Sequence, residues 1–234
     1  MTKKATCLSA TALTAAALLG AVLSTVSAAG AATPSATAPN LSSVKANAAA
    51  AITLRVNDLT AAIANLNAER GLGSDAPALD TYLQADIAPL QALGQKIAGD
   101  TTMAGARADA AAIYSNFRVL FLVLPAAHLA GLVDGIANTA VPALTAESAK
   151  AASRVNSSNQ SVLQPLINDL NTQISAASGS TSGLAATLLG YTPAQWNANN
   201  ALLSPARSSV TSAGGDVARG RADLRQIHQD LKSG

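Results

Sequence analysis

Residues 203–231 have the sequence LSPARSSVTSAGGDVARGRADLRQIHQDL, and this stretch decides the fold. Small or apolar side chains recur along it at alternating spacings of three and four, which places them on one stripe of an α-helix. The stripe consists of Leu203, Ala206, Val210, Ala213, Val217, Gly220, Leu224, Ile227 and Leu231. Its small members let a second helix approach closely. We therefore predict a long helix that begins near Ser204 and Pro205 and associates with another helix through Ala206, Val210, Ala213, Val217, Gly220 and Leu224.

The other sides of this helix are polar. The charged residues Asp216, Arg219, Asp223 and Arg225 fall outside the stripe, so we expect them on a solvated side. The sequence leaves open what the stripe packs against. A neighbouring helix of the same chain, a second copy or an envelope protein would each satisfy it.

The rest of the chain after residue 40 repeats the helical pattern. Alanine dominates it and favours helix, because alanine loses the least free energy on helix formation. Apolar stripes predict helices over 42–70, from 74 to 98 with a kink at Pro89, up to Leu124, over 126–156, and around 163–174. Residues 178–183 predict a flexible loop, and residues 119–124, apolar on every side, predict complete burial. The predicted fold class is all-α: a single domain over 41–234 that forms an antiparallel helical bundle, elongated or coiled-coil-like.

The N-terminal residues predict a cleavable secretory signal peptide over 1–31. Lys3 and Lys4 supply the positive start, and residues 10–26 form an uncharged run rich in alanine and leucine. Small residues then offer two cleavage sites, after Ala28 or after Ala31. The run is short of the ~20 residues that a membrane span prefers, which favours cleavage over a retained anchor. Residues 32–40, ATPSATAPN, predict a flexible linker.

Cleavage changes both the charge and the cysteine content of the chain. Lys3 and Lys4 account for the whole formal charge of +2, so the mature chain is neutral. Neutrality argues against nucleic acid as a partner, because phosphate binding needs a basic surface. Cys7, the only cysteine, lies before the apolar run. We therefore expect neither lipidation nor a disulfide in the secreted protein.

The clearest local motif is a helix start at Thr192. Thr192 and Gln195 have the spacing of a capping box, and Pro193 suits the first helical position. This segment, TPAQWN at 192–197, resembles a Thr-Pro-x-x-x-Asn segment, and FRVLFLVLP at 117–125 resembles an aromatic-Arg-Val-x-x-Leu-Val-Leu-Pro segment. Both occur in alanine-rich secreted helical proteins of high-GC Gram-positive bacteria. The resemblance implies export and a helical fold, and it carries over no catalytic residue.

The candidate ligand-binding residues are Tyr114, Arg118 and His128. Tyr114 begins an aromatic stripe with Phe117 and Phe121, which either lines a pocket or packs in the core. The Arg118 guanidinium can bind an anion inside the bundle, or it can pair with an aspartate while its stem packs on apolar neighbours. His128 is either part of the same pocket or an ordinary surface or structural histidine.

The sequence contains no recognisable catalytic or metal-binding motif. His128 and His228 are the only histidines, and neither stands in a Glu-x-x-His or His-x-x-x-His pattern. We therefore predict no catalytic residue, no metal ligand and no cofactor. Residues 119–141 are apolar enough to suggest a membrane span, but they contain Asp134, and a carboxylate in a bilayer costs ~2.5–3.5 kcal/mol. A buried core hairpin fits them better.

Two functions are compatible with these features. The first is a secreted, non-enzymatic helical protein with a structural or binding role at the cell envelope or outside the cell, which associates with itself or with an envelope protein. The second is a helical domain that binds a small ligand, or acts on one, in a pocket near Arg118 and His128.

Overall fold

The long C-terminal helix forms as the stripe predicts, from Ser204 to Ser233. The structure is a computed structural model that describes residues 40–68 and 75–233. Over these residues the chain is helical and contains no strand, which confirms the all-α fold class. The α-helices are α1 Leu41–Ala68, α2 Ala76–Gln84, α3 Ile87–Gly99, α4 Met103–Ser115, α5 Leu124–Asp134, α6 Val141–Ala152, α7 Gln160–Thr181, α8 Leu184–Leu189, α9 Pro193–Ala198 and α10 Ser204–Ser233; π-helical segments cover Val119–Val123 and Gly135–Ala140.

The predicted signal peptide and all of the predicted linker except Asn40 lie outside the described residues. Asn40 itself is part of a helix start rather than of a linker. Its Oδ1 accepts a hydrogen bond from the backbone N–H of Ser43 (2.8 Å), and its carbonyl accepts one from the N–H of Val44 (3.1 Å). Asn40 thus satisfies N–H groups that would otherwise have no partner at the start of α1.

The buried apolar side chains form two clusters, which we call the first core and the second core. The first core combines side chains from α1 to α5, the first π-helical segment, α8 and the start of α10. The second core is formed by α6, α7 and the remainder of α10. Helix α10 contributes to both, with Leu203, Ala206 and Val210 in the first and Ala213, Val217, Leu224 and Ile227 in the second.

The prediction of one kinked helix over 74–98 is wrong. The chain forms two helices there, since α2 ends at Gln84 and α3 begins at Ile87. Pro89 lies in the first turn of α3 rather than inside a continuous helix. Backbone N–H groups in a first turn have no intrahelical acceptor, so a proline at this position loses no hydrogen bond.

The predicted helix up to Leu124 is interrupted at Arg118. Helix α4 ends at Ser115, and a helical run without a further break then continues from Val119 through Pro125 to Ala152. The complete burial predicted for residues 119–124 is also wrong in part. Val119, Leu122 and Val123 are buried, but Leu120 and Phe121 are exposed. The segment borders the first core, so only one of its faces meets other helices.

Two further sequence predictions are corrected by packing. Residues 178–181 are not a loop, because α7 continues to Thr181, whose buried hydroxyl donates to the Ala177 carbonyl (2.9 Å). Asp216 is not solvated but buried, and it forms an ion pair with Arg219. Arg219 in turn donates from Nε to Oε1 of Gln173 on α7 (2.9 Å). Asp216 can therefore be buried beside the stripe, because Arg219 on the next turn neutralises its charge and also hydrogen-bonds to α7.

Among the described residues, the stretch Met103–Ala152 is long and apolar enough to cross a membrane by length and composition alone. Half of its most apolar window is buried inside the protein. Asp134, within this stretch, is fully buried and accepts a hydrogen bond from the Asn138 side chain. Core helices of soluble proteins meet the same criterion, and side chains of this stretch contribute to both the first and the second core.

Candidate functional site

The candidate site is built around the helix break at Arg118. Arg118 adopts a left-handed backbone conformation with φ 49°, the only positive φ of a non-glycine residue among those described. This conformation costs an L-residue roughly 1–2 kcal/mol. The Arg118 carbonyl accepts hydrogen bonds from three consecutive backbone N–H groups, of Phe121 (3.1 Å), Leu122 (2.8 Å) and Val123 (3.3 Å). Arg118 thus separates α4, which ends at Ser115, from the π-helical segment that begins at Val119.

Asn197 on α9 holds the break in place. Its Oδ1 accepts a hydrogen bond from Nε of Arg118 (2.6 Å), and its Nδ2 donates to the Ser115 carbonyl at the end of α4 (2.9 Å). Helix α9 is positioned by the predicted capping box. The backbone N–H of Gln195 donates to the Thr192 hydroxyl (3.3 Å), and the Gln195 side chain accepts from the Thr192 N–H (2.8 Å). Asn197 therefore supplies a partner to a terminal carbonyl of α4 and to the Arg118 side chain at once.

This contact joins the two segments on which the family resemblance rests. Arg118 belongs to FRVLFLVLP at 117–125 and Asn197 to TPAQWN at 192–197, and the two residues are 79 positions apart in sequence. The described ion pairs do not include Arg118, so it forms no salt bridge to an aspartate there, and the observed partner of its side chain is an amide. An anion contact of Arg118 stays a prediction. The Arg118–Asn197 hydrogen bond therefore brings the two segments into direct contact.

Exposed apolar side chains surround the break. Phe121 is 58% exposed, Tyr114 49% and Leu120 39%. Phe117, the middle residue of the predicted aromatic stripe, is partly buried against the first core. The break at Arg118 separates Tyr114 from Phe121, so the three aromatic residues do not share one helix face. We call Tyr114, Leu120 and Phe121 the apolar rim.

A residue that the sequence analysis missed lies under the rim. Arg55 of α1 is 94% buried, with only 6% of its surface exposed, and its guanidinium stacks over the Tyr114 ring at 4.6 Å from the centroid. The sequence spacing of the buried residues on α1 is consistent with this burial of Arg55. The buried positions Ala48, Ile52, Arg55 and Leu59 follow spacings of four, three and four, so Arg55 occupies a position of the buried stripe although its neighbour Val56 is the apolar residue.

No hydrogen bond of the described residues ties His128 to the Arg118 break. His128 is exposed on α5, and in the described part of the chain no hydrogen bond or ion pair joins it to Tyr114 or Arg118. Two open grooves are found elsewhere, one beside Gln160 and Pro165 on α7 and the other beside Tyr82 and Leu189. Neither is lined by a predicted ligand-binding residue. A pocket near Arg118 and His128 stays a prediction.

The residues predicted for helix–helix association are buried within the chain. All six of them, Ala206, Val210, Ala213, Val217, Gly220 and Leu224, are buried on α10. At Gly220 an added Cβ would lie 3.2 Å from Cδ1 of Leu170 on α7 and 3.4 Å from Cδ1 of Leu144 on α6. The stripe's neighbours are therefore helices of the same chain. Association with a second copy or a partner through it stays a prediction, and it requires the stripe to leave these helices.

Two ionisable groups of the first core have shifted pKa values. Burial raises the pKa of the Asp86 carboxyl to about 6. Burial, followed by the nearby charge of Asp86, raises the pKa of the Tyr82 phenol to about 12. Both shifts favour the neutral form, and the two groups lie one helical turn apart without a catalytic partner that we can identify. We interpret them as consequences of packing.

Within residues 40–68 and 75–233, no three metal-binding side chains cluster in a way that would hold a metal ion. Comparison of the chain with protein-family models, with curated proteins and with solved structures gives no match. Function therefore has to be argued from the site itself.

Proposed function

We propose that this protein is a secreted, non-enzymatic helical protein that acts by binding at the cell envelope, and that the apolar rim around Arg118 is its contact surface. The signal-peptide pattern of residues 1–31 supports export. The neutral mature chain supports a protein or small-molecule contact rather than nucleic acid.

The observation that carries the binding role is the exposure of Phe121 and Tyr114 beside a strained residue. Large aromatic side chains at the surface contribute most of the affinity in many protein interfaces. Strained backbone at non-glycine residues clusters at functional sites, where the surrounding structure enforces it. At Arg118 that enforcement comes from Asn197 and from three backbone N–H groups.

The export part is tested on the protein recovered from the culture medium. Mass spectrometry of its N-terminus is expected to find Ala29 or Ala32 as the first residue, because these follow the two cleavage sites. Protein that remains in the cell with its Met1 region intact would contradict export.

The binding part is tested by retention on washed envelope from the producing cells. Phe121→Ser is expected to lower retention about fivefold or more, since truncation of an interface aromatic commonly costs more than ~1 kcal/mol. Val162→Ser on α7 is the matched control, because Val162 is 51% exposed and lies in the second core's helices. Equal retention of the two variants would contradict a role for the apolar rim. Sedimentation of the purified protein measures its oligomeric state. A dimer would indicate a second copy as the partner, and a monomer that the envelope retains would indicate an envelope partner.

A further inference from the structure

Arg55 is a buried cation for which the described chain supplies no anion. The ion pairs of the described residues join Lys96 to Asp109, Lys150 to Glu147 and Arg219 to Asp216, and none includes Arg55. Its contacts are a hydrogen bond from Nη1 to the Ala51 carbonyl one turn earlier in α1 (2.8 Å) and the stack on Tyr114. A buried charge is ordinarily paired, because leaving water without an opposite charge is costly.

Acidic side chains are scarce outside the described ranges. Residues 1–39 contain neither aspartate nor glutamate. The acidic side chain in the gap between α1 and α2 is Glu69, which follows the last residue of α1. Within residues 40–68 and 75–233, no carboxylate forms an ion pair with Arg55.

The free edge of the guanidinium has the geometry for a carboxylate. Because Nη1 is used by the Ala51 carbonyl, the edge formed by Nε and Nη2 remains, and this edge presents two parallel N–H groups. Neither nitrogen is among the fully buried side-chain atoms that have no hydrogen-bond partner, so both retain some contact with the surface. The Tyr114 ring that stacks on the guanidinium is itself 49% exposed, so the stack borders the surface.

We propose that the Nε–Nη2 edge of Arg55 binds the carboxylate of an organic anion, with the Tyr114 ring packed beside it. A single guanidinium next to an aromatic ring fits a singly charged, planar group better than a phosphate dianion, for which the site holds no second identified cation. This inference rests on the proposed binding role, since it names the chemistry that the apolar rim would recognise in its partner or ligand.

Benzoate is a suitable probe because it combines a carboxylate with a ring that can pack on Tyr114. We expect it to shift the Nε–Hε resonance of Arg55 saturably in NMR titrations, and inorganic phosphate at equal ionic strength to bind at least tenfold more weakly. Benzoate is also expected to raise the melting temperature, because a ligand that binds only the folded state stabilises it. Tighter binding of phosphate than of benzoate would overturn the carboxylate assignment, and the absence of saturable binding would overturn the site.

Variants separate a binding role of Arg55 from a structural one. In Arg55→Met the benzoate-dependent rise in melting temperature is expected to disappear, while the melting temperature without ligand stays equal or rises, because an unpaired buried charge has been removed. Arg154→Met, at an exposed arginine, is the control and should keep the full benzoate effect. If Arg55→Met does not fold, Arg55→Lys keeps the charge but loses the two-pronged edge, and at least tenfold weaker binding is expected. Unchanged benzoate binding in either variant would overturn the proposal.

The two proposals fail in different measurements. Envelope retention of the unmodified chain without benzoate binding would refute the carboxylate site and leave the binding role standing. Benzoate binding that depends on Arg55, in a protein that the envelope does not retain, would refute the envelope role and leave the carboxylate site standing.

Discussion

The two cores of this protein are built in different ways. The second core has three contributors, α6, α7 and part of α10, and its buried side chains are aliphatic. The first core draws on many more segments, several of them short, and every aromatic residue of the chain lies in it, against it or on its surface. Long helices that meet along their length need only a regular stripe. Short segments that meet at several angles need caps, bulky rings and a strained turn.

This difference explains where the candidate site lies. The Arg118 break, the apolar rim and Arg55 all lie on or between segments that form the first core, where helices end and side chains from distant segments converge. The second core offers a continuous packed surface with few helix ends. Binding sites tend to form where element ends meet on a rigid scaffold, and only the first core provides that arrangement.

The largest expected effect comes from removing a fully buried leucine from either core. Leu122→Ala in the first core and Leu170→Ala in the second are each expected to lower the free energy of unfolding by about 2–5 kcal/mol, through lost burial and the cavity left behind. Leu54→Ala, at a leucine that is 53% exposed, is the control. Denaturant unfolding followed by circular dichroism measures all three.

The same leucine variants test whether the cores are coupled. Because α10 contributes to both cores, we expect one cooperative transition, with faster amide hydrogen exchange in α7 for both variants. If Leu122→Ala left the exchange in α7 unchanged, the cores would be independent units and the comparison between them would have to be redrawn.

A smaller effect is expected at the glycines of α10. Gly220→Leu is expected to lower stability by about 1–3 kcal/mol, because its side chain must enter the space held by Leu170 and Leu144. Gly214→Leu has open space around its position and is expected to raise stability by up to about 1 kcal/mol through helix propensity. Thermal unfolding of the two variants tests whether Gly220 is needed for the close approach of the helices in the second core. A change of melting temperature in the same direction for both variants would contradict that role.

The smallest effect concerns pH. Burial raises the pKa of Asp86 from 3.8 to about 6, so the folded state favours the protonated carboxyl. Its contribution to stability is complete below about pH 3.8 and is lost as the pH rises through 6. Asp86→Asn resembles the neutral form, so it should stabilise the protein at pH 7 by about 1 kcal/mol, after allowance for solvent screening of a partly exposed group. The advantage should disappear at pH 3.

The second core contains the matched group for this test. Burial and then the charge of Asp169 raise the pKa of Asp223, which is less buried than Asp86. Asp223→Asn should therefore change stability in the same direction and by a smaller amount. A larger effect at Asp223 than at Asp86, measured as the difference in unfolding free energy between pH 3 and pH 7, would contradict the assignment of these shifts to burial.

Sequence reasoning succeeded where the local pattern is itself the cause of the structure. The capping box at Thr192 and the start of α10 at Ser204 are confirmed, because a cap needs only residues within one turn. It failed at Pro89, at Arg118 and at residues 178–181. At each of these, helical and non-helical conformations are close in free energy, and packing against distant segments decides between them.

The candidate site follows the same division. Tyr114 and Arg118 were recognisable as aromatic and cationic residues beside an apolar run. Arg55 was not, because its meaning depends on a ring 59 positions later in the sequence. His128 was selected for its residue type, and the structure shows it exposed on α5.

The sequence by itself determined the all-α class, the stripe of α10 and the capping box at Thr192, because composition, spacing and adjacent hydrogen-bond donors suffice for them. The tertiary structure alone decided that the stripe of α10 packs inside its own chain, that Asp216 is buried and that Arg118 meets Asn197. These features depend on which helices become neighbours, and neighbours distant in sequence are selected by the summed burial of many side chains rather than by any local motif.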